Sequence, residues 1–194
     1  TTRSQGEPLV AESTQALQQA VVASRVRRII ITGERGLQEL ATSPDGTLLA
    51  TAGNDGVVRL FDDASGAELR TITTNDFEIP VFGLDFSPDG RLLAAGVGDQ
   101  AMIWDVASGS EQLVVDLQPD AELDVAEEIV LNVAFSPDGA TLATANSDGT
   151  TRLWDAADGT ELLALDDPEG AAVTALAFGP DRTMLATGDS FGTI

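Results

Sequence analysis

One motif recurs four times in this chain of 194 residues, and it limits the fold more than any other feature. Its clearest copy is FSPDGATLATANSDGTTRLWD, from Phe135 to Asp155. Related segments begin at Thr42, Phe86 and Phe178, and the prolines of the four copies stand 44, 49 and 43 residues apart. Such a period is typical of repeat architectures, in which each unit is a small supersecondary structure that packs on the next.

The contents of each repeat predict β-strands. Leu131, Val133 and Phe135 alternate with other residues in the third copy, which places them on one face of an extended segment. The S-P-D-G sequence that follows predicts a tight turn, because Pro presets φ, Asp bonds back to the backbone and Gly accepts a positive φ. The unit continues with a second strand, an Asx-Gly turn and a third strand that ends in an aromatic residue and Asp. Another turn and a fourth strand complete it.

A four-stranded sheet of this size cannot bury both of its faces alone, so neighbouring sheets must stack. We therefore expect an all-β fold, a partial β-propeller of about four four-stranded blades with a short N-terminal helix. The expected tail and helix occupy residues 1–26 and the propeller occupies 27–194. The expected blades are 36–78, 79–127, 128–170 and 171–194, the last of them incomplete.

The turns and the terminal W-D or F-D dipeptides, repeated in register, resemble the WD-repeat β-propeller family. In that family, a turn Asp, a second-strand Ser or Thr, a third-strand Trp and a His form a hydrogen-bond network. The resemblance assigns this structural network to Thr51, Asp55, Asp99, Trp104, Thr144, Asp148 and Trp154. Because the chain contains no His, we expect Asp55 and Asp148 to accept hydrogen bonds from backbone amides and a local hydroxyl group.

Several positions depart from the pattern of the family. Phe61 stands where the first repeat would have Trp, and Ala95 stands where the second would have Ser or Thr. The second repeat is also one residue shorter between its second turn and Trp104, and the fourth has Phe191 in place of the turn Asp. These departures put the rigidity of individual blades in doubt without changing their identity.

The N-terminal segment differs from the repeats. Residues 1–35 hold five of the ten arginines but three of the 32 acidic residues. An apolar stripe predicts a helix from Pro8 to about Arg25, and RIIIT, 28–32, has the composition of a strand. The WD-repeat resemblance places a ring-closing strand at RIIIT. The junction between an Arg-rich helix end and the first repeat also resembles the WD-repeat sensor region of bacterial STAND-type signalling proteins.

The fourth repeat stops after SFGTI, before a fourth strand is written. We expect the chain to be a fragment of a longer protein whose open blades expose apolar faces and unpaired edges. Such edges favour association, so we also expect a homodimer in which each copy lends residues 28–32 to the unfinished blade of its partner.

Composition limits the partners and the chemistry. The net charge is −22, which repels phosphate backbones and anionic lipids, so we expect neither nucleic acid nor membrane as a partner. No run of 18 apolar residues and no leader is visible, and we expect a cytoplasmic location. The absence of Cys and His removes disulfides, thiolate chemistry and Cys or His metal sites, so we expect no metal and no cofactor.

We predict a non-catalytic scaffold or sensor that binds other proteins, as part of a larger bacterial signalling protein. Two alternatives remain: a self-associating half-propeller scaffold, and a propeller hydrolase that uses carboxylates of the central channel. Propeller enzymes generally use His, Tyr, metals or quinone cofactors, and this chain has neither His nor Tyr. A run of acidic residues such as segment 116–128 is more often a solvated loop than a binding site. Its carboxylates are nevertheless the candidate partner contacts of this chain: Asp120, Glu122, Asp124, Glu127 and Glu128.

Overall fold

The computed structural model describes residues 36–74, 79–117, 128–181 and 183–194. The predicted helix, the predicted strand at residues 28–32 and most of the acidic segment lie outside the described residues. The blades belong to one compact unit, Glu34–Ile194.

The described residues form β-strands and turns, which confirms the all-β prediction. Blade one contains β1 (Leu37–Thr42), β2 (Leu48–Gly53), β3 (Val57–Asp62) and β4 (Glu68–Thr73). Blade two contains β5 (Val81–Phe86), β6 (Leu92–Val97), β7 (Gln100–Asp105) and β8 (Glu111–Asp116). Blade three contains β9 (Val130–Phe135), β10 (Thr141–Asn146), β11 (Thr150–Asp155) and β12 (Glu161–Asp166). Blade four contains β13 (Val173–Phe178) and β14 (Leu185–Asp189).

Every sheet is antiparallel and pairs its strands in chain order. The first strand of each blade packs against the first strand of the next, so β1, β5, β9 and β13 lie innermost and β4, β8 and β12 outermost. At Gly83, whose φ is 59°, an added Cβ would lie 2.7 Å from the Cα of Asn132. The absence of a side chain at Gly83 therefore lets β5 and β9 approach closely.

Because the strands alternate in direction, the turns fall on two opposite faces. We call one of them the first face; it carries the S-P-D-G turns and the turns after the third strands. The second face carries the turns between second and third strands and the links between blades.

The S-P-D-G turns repeat one set of hydrogen bonds. Ser136 Oγ donates to Asp138 Oδ1 at 2.6 Å and accepts from Thr141 N at 3.0 Å. Blades one and two form the same bonds around Ser43 and Ser87. The serine hydroxyl is the largest cause that lowers the pKa of Asp45 and Asp89. The motif therefore recurs because it satisfies its own turn.

The Asp of each W-D or F-D dipeptide also closes a local turn. Asp105 Oδ1 accepts from Ser108 N and Ser108 Oγ, each at 2.8 Å, and Asp62 and Asp155 accept from their own turns in a similar way. This role needs a short side chain with an acceptor oxygen directly after the third-strand aromatic residue, and Asp supplies it. The dipeptide thus joins a core residue to a turn residue.

The hydrophobic core lies between the blades. One cluster joins blade one to blade two and includes Leu60, Leu93 and Trp104, and a second cluster joins blade two to blade three and includes Ile103 and Trp154. We call the front of a blade the face that meets the preceding blade, and the rear the face that meets the next one. Both tryptophans lie on the front of their blades.

One predicted strand face is wrong in detail. Leu131 was expected to share the buried face of Val133 and Phe135, but Val130 is fully buried there while Leu131 is half-buried. The register of β9 and β10 shifts at this point, because Val130 lies opposite Asn146 and Asn132 lies opposite Ala145. A bulge leaves the extra residue Leu131 out of the alternation.

Candidate protein-interaction site

In blade three, the structure brings together two residues of the network that the family resemblance predicts. Trp154 Nε1 donates a hydrogen bond of 3.1 Å to Thr144 Oγ1, and both side chains are buried. Asp148 lies in the turn after β10, where its Oδ1 accepts from Thr150 N and Thr150 Oγ1, each at 2.8 Å. Thr150 N and Oγ1 are thus a backbone amide and a local hydroxyl group, the kinds of donor that the sequence predicts for Asp148.

Blades one and two place their network residues differently. Asp55 Oδ1 accepts from Val57 N at 3.3 Å, while Thr51 and Phe61 are buried. In blade two, Trp104 is buried on the same face as Ala95, which has no hydroxyl group to offer. Asp99 is exposed in a two-residue turn, since Val97 pairs directly with Gln100, and this turn accounts for the missing residue of the second repeat.

Sequence reasoning missed a pair of arginines on the third strands. Arg59 Nη2 lies 2.9 Å from Asp55 Oδ2, and Arg152 Nη2 lies 3.8 Å from Asp148 Oδ2, so each turn Asp pairs with a cation four residues later. Met102 occupies the corresponding position of blade two, opposite Ala95. The signal was present in the sequence, because R-L-F-D and R-L-W-D share an Arg two residues before the aromatic residue.

Arg152 is the centre of a charged cluster that joins several segments. Its Nη2 donates to Glu128 Oε1 at 3.2 Å, and its Nη1 donates to the carbonyl of Leu117 at 3.1 Å and lies 3.6 Å from Glu161 Oε2. Glu128, a predicted partner contact, is 6% exposed and therefore belongs to this cluster rather than to the open surface. The other predicted contacts, Asp120, Glu122, Asp124 and Glu127, lie outside the described residues.

The titration of Asp148 reflects this cluster. Burial opposes its ionisation, but hydrogen bonds with Glu128 and Thr150 and the charge of Arg152 together hold its pKa below the usual value. The cluster brings three carboxyl groups to one guanidinium group, so its local charge is negative near neutral pH. This charge lies on the second face, beside the entry to blade three.

A pocket of about 470 Å³ opens on the second face between blades two and three. Its walls are apolar, formed by Ile79, Pro80, Phe82 and Ile129, and the carboxylates of Asp99 and Glu128 lie at its edge. Arg152 binds Glu128 but does not line the pocket, and no other arginine of the described residues lines it. We call this site the second-face pocket.

The innermost strands carry a different set of polar groups. A cavity of about 380 Å³ is lined by Glu39 of β1, Asp85 of β5 and Asn132 of β9. Asp85 Oδ2 accepts a hydrogen bond of 2.7 Å from Phe135 N, which ties blade two to blade three, and burial raises the pKa of Asp85. The carboxylate of Asp85 is therefore engaged by a backbone amide of the fold.

The described residues bear on two other classes of function, metal binding and membrane insertion. No group of three or more Asp or Glu side chains is placed to hold a metal ion in the part of the chain that the structure describes. Within the same residues, no helix is long and apolar enough to span a bilayer.

Comparison with known proteins decides the family. The family described as "WD domain, G-beta repeat" has a sequence model that matches residues 28–62, 66–105, 119–155 and 159–192. This chain belongs to the WD40 repeat family. The first three matches end on the last residue of a third strand, and the matches at 66–105 and 159–192 begin just before the outer strand of the preceding blade. A WD40 sequence repeat is therefore offset from a structural blade.

Curated WD40 proteins from plants and an insect are similar to this chain. The small ribosomal subunit protein RACK1 of Medicago sativa is 33% identical over 138 residues, 66% of this chain and 42% of that protein. The WD repeat-containing protein VIP3 of Arabidopsis thaliana is 32% identical over 161 residues, 79% of this chain and 49% of that protein. Drosophila melanogaster RACK1 is 33% identical over 121 residues, 61% of this chain and 36% of that protein. The chain thus spans less than half of the length of these WD40 relatives.

Proposed function

We propose that this WD40 chain is a non-catalytic interaction module that binds a basic, partly apolar segment of another protein in the second-face pocket. The pocket is the observation that carries the proposal, because apolar walls formed by Ile79, Phe82 and Ile129 adjoin the carboxylates of Asp99 and Glu128. Buried apolar contact supplies affinity, whereas the exposed carboxylate of Asp99 selects a cationic partner, since Glu128 is already paired with Arg152. The net charge of −22 adds long-range attraction for such a segment.

The cellular setting of this module is a further part of the proposal. The junction between the Arg-rich segment and the first repeat supports a sensor role in a bacterial STAND-type signalling protein in the cytoplasm. The named relatives are eukaryotic and support the scaffold role alone. Neighbouring sequence that encodes a nucleotide-binding module would support the sensor role, whereas a different neighbouring module would contradict it.

An array of synthetic peptides tests the pocket. Peptides that combine Arg or Lys with Leu should bind about tenfold more tightly than peptides with Glu in place of the basic residues. Asp99→Lys should remove this preference, because it reverses a charge at the pocket edge. Asp63→Lys changes the net charge equally at an exposed position after β3, on the first face, and should leave the preference intact. Equal binding of both peptide sets by the unaltered protein would contradict the proposal.

The outer part of blade three supports a second candidate function, self-association. Leu163 and Leu165 of β12 are 46% and 45% exposed, whereas Ile72 and Val115, at the position of Leu165 in blades one and two, are 6% and 4% exposed. In the described residues, β14 has one paired edge and one open edge. A second copy of the chain that lends residues 28–32 to this open blade would cover both features.

Light scattering coupled to size-exclusion chromatography tests self-association. The unaltered chain should have the mass of a dimer, and Leu163→Asp with Leu165→Asp should give a monomer. Leu69→Asp introduces a charge at an outer-strand position of blade one that is also exposed, and it should leave the dimer intact. A monomeric unaltered chain at every concentration tested would overturn this candidate.

A further inference from the structure

A second groove lies on the first face, between blades one and two. Its volume is about 410 Å³, and it lies where β3 and β4 meet the turns of blade two. The side chains that matter for its chemistry are Leu48, Leu60, Leu69, Arg70, Arg91 and Val106. The groove thus combines an aliphatic floor with two guanidinium groups.

The two guanidinium groups keep their charge available. Arg70 donates to the carbonyls of Ser108 at 2.6 Å and Ala107 at 2.7 Å, which fix the side chain without neutralising it. Neither Arg70 nor Arg91 has a carboxylate within 4.0 Å in the described ranges, in contrast to Arg59 and Arg152. An Arg has five N–H donors, so Arg70 retains donors for a further acceptor.

The nearby aspartates are engaged by their own turns. The pKa of Asp89 and of Asp105 is held low mainly by hydrogen bonds from Ser87 and Ser108, with a smaller contribution from the charge of Arg91. Among the described residues, Asp105 is the one acidic residue that lines the groove, against the two arginines, so the net charge of the lining is positive. A positive groove is unusual for a chain with a net charge of −22.

The corresponding groove between blades two and three shows that the fold does not require these arginines. Leu113 occupies the position of Arg70, since Leu60 pairs with Arg70 as Ile103 pairs with Leu113. Ala140 follows the S-P-D-G turn where Arg91 does in blade two. Both arginines are therefore departures from the repeat, and both line the same groove.

We propose that this groove binds a short acidic segment of a partner protein that carries an aliphatic side chain beside its carboxylates. Arg70 and Arg91 receive the carboxylates, because a guanidinium group matches a carboxylate with two parallel hydrogen bonds. The aliphatic side chain packs on Leu48, Leu69 and Val106. This site lies on the opposite face from the second-face pocket and selects the opposite charge, so it goes beyond the function proposed above.

Fluorescence anisotropy with a labelled peptide tests the groove. The probe is a synthetic peptide with a Glu-Leu-Asp-Leu core, and its control has Gln-Leu-Asn-Leu at the same positions. At low ionic strength, the chain should bind the acidic peptide about tenfold more tightly than the amide peptide. Arg70→Leu combined with Arg91→Ala, which installs the residues of the other groove, should abolish the difference.

The controls separate this site from general charge effects. Gln112→Glu combined with Leu162→Glu lowers the net charge by the same two units at exposed outer-strand positions and should leave the preference intact. Arg91→Ala alone should weaken binding of the acidic peptide, because it removes one of the two guanidinium groups. Since the side chain is exposed, the thermal melt should stay unchanged. Asp99→Lys, which tests the second-face pocket, should retain this binding. Equal affinity for both peptides, or an unchanged preference in Arg91→Ala, would overturn the proposal.

Discussion

Blades two and three have the same strand lengths, but their rear faces differ in burial. The rear of blade two is covered by blade three, with Ile103 fully buried and Val115 4% exposed. At the same positions of blade three, Leu153 is half-buried and Leu165 is 45% exposed. Burial of an outer strand thus depends on the third and fourth strands of the next blade, not on the strand's own sequence.

The atoms that cover blade two show how this dependence arises. Gly159, in the turn after β11, approaches Leu113 so closely that an added Cβ would lie 3.1 Å from Leu113 Cδ1. Blade four, whose described strands are β13 and β14, presents no such turn to Leu163 within the described residues. The first two strands of a blade cover the inner rear face of its neighbour, and the last two cover the outer part.

The largest expected effect distinguishes the two tryptophans. Trp154→Ala should lower the free energy of unfolding by about 3–5 kcal/mol, because it opens a cavity in the core between blades two and three. Trp154→Phe should cost about 1–2 kcal/mol, since it removes the hydrogen bond to buried Thr144. Trp104→Phe should cost less, because Ala95 stands at the position of Thr144 in blade two and has no hydroxyl group to bond. Urea denaturation measures all three, and equal costs for the two Phe variants would contradict a role for this bond.

The next effect concerns the charged cluster, which blade two lacks. Arg152→Met installs the residue of blade two and should lower stability at neutral pH by about 2–3 kcal/mol, because buried Glu128 loses its cation. Adding Glu128→Gln should recover much of the loss. Chemical denaturation of the single and double variants measures the coupling. Additive losses would mean that the two side chains do not stabilise each other.

A smaller effect tests the difference between the rear faces directly. Val115→Ala should cost about 1–2 kcal/mol because the side chain is buried, whereas Leu165→Ala should cost about 0.5 kcal/mol in a monomer despite its larger side chain. Thermal melts at low and high protein concentration provide the measurement. A cost for Leu165→Ala that grows with concentration would indicate that a second copy covers blade three.

The smallest effect is a pH dependence at the contact between these blades. Burial raises the pKa of Asp85, so its contribution is most favourable at low pH and is lost as pH rises from about 3.8 through the folded-state pKa. Asp85→Asn retains an acceptor for Phe135 N and removes the buried charge. Its stability relative to the unaltered chain should therefore increase with pH across this window and then level off. Parallel stability curves would show that Asp85 does not titrate with folding.

Local chemistry explains what the sequence predicts correctly. The strands and turns follow from alternation and from side chains that bond within five residues, as Ser136 does with Asp138 and Thr141. The site depends instead on distant contacts, because Arg152 meets Glu128 from 24 residues away and Leu117 from 35. Asp85 and Phe135 are 50 residues apart. No repeat pattern encodes such contacts, since one partner of each, Glu128, Leu117 or Asp85, differs from one copy to the next.

The local closure of the turn after each third strand has a consequence for how such proteins change over time. Asp105 draws its donors from Ser108, three residues away, so a hairpin carries its own polar requirements with it. A hairpin that satisfies itself in this way can be duplicated, deleted or exchanged without leaving an unpaired carboxylate behind. Gene duplication can therefore lengthen the chain by whole blades, while new binding chemistry arises from single substitutions such as those at Arg70 and Arg91.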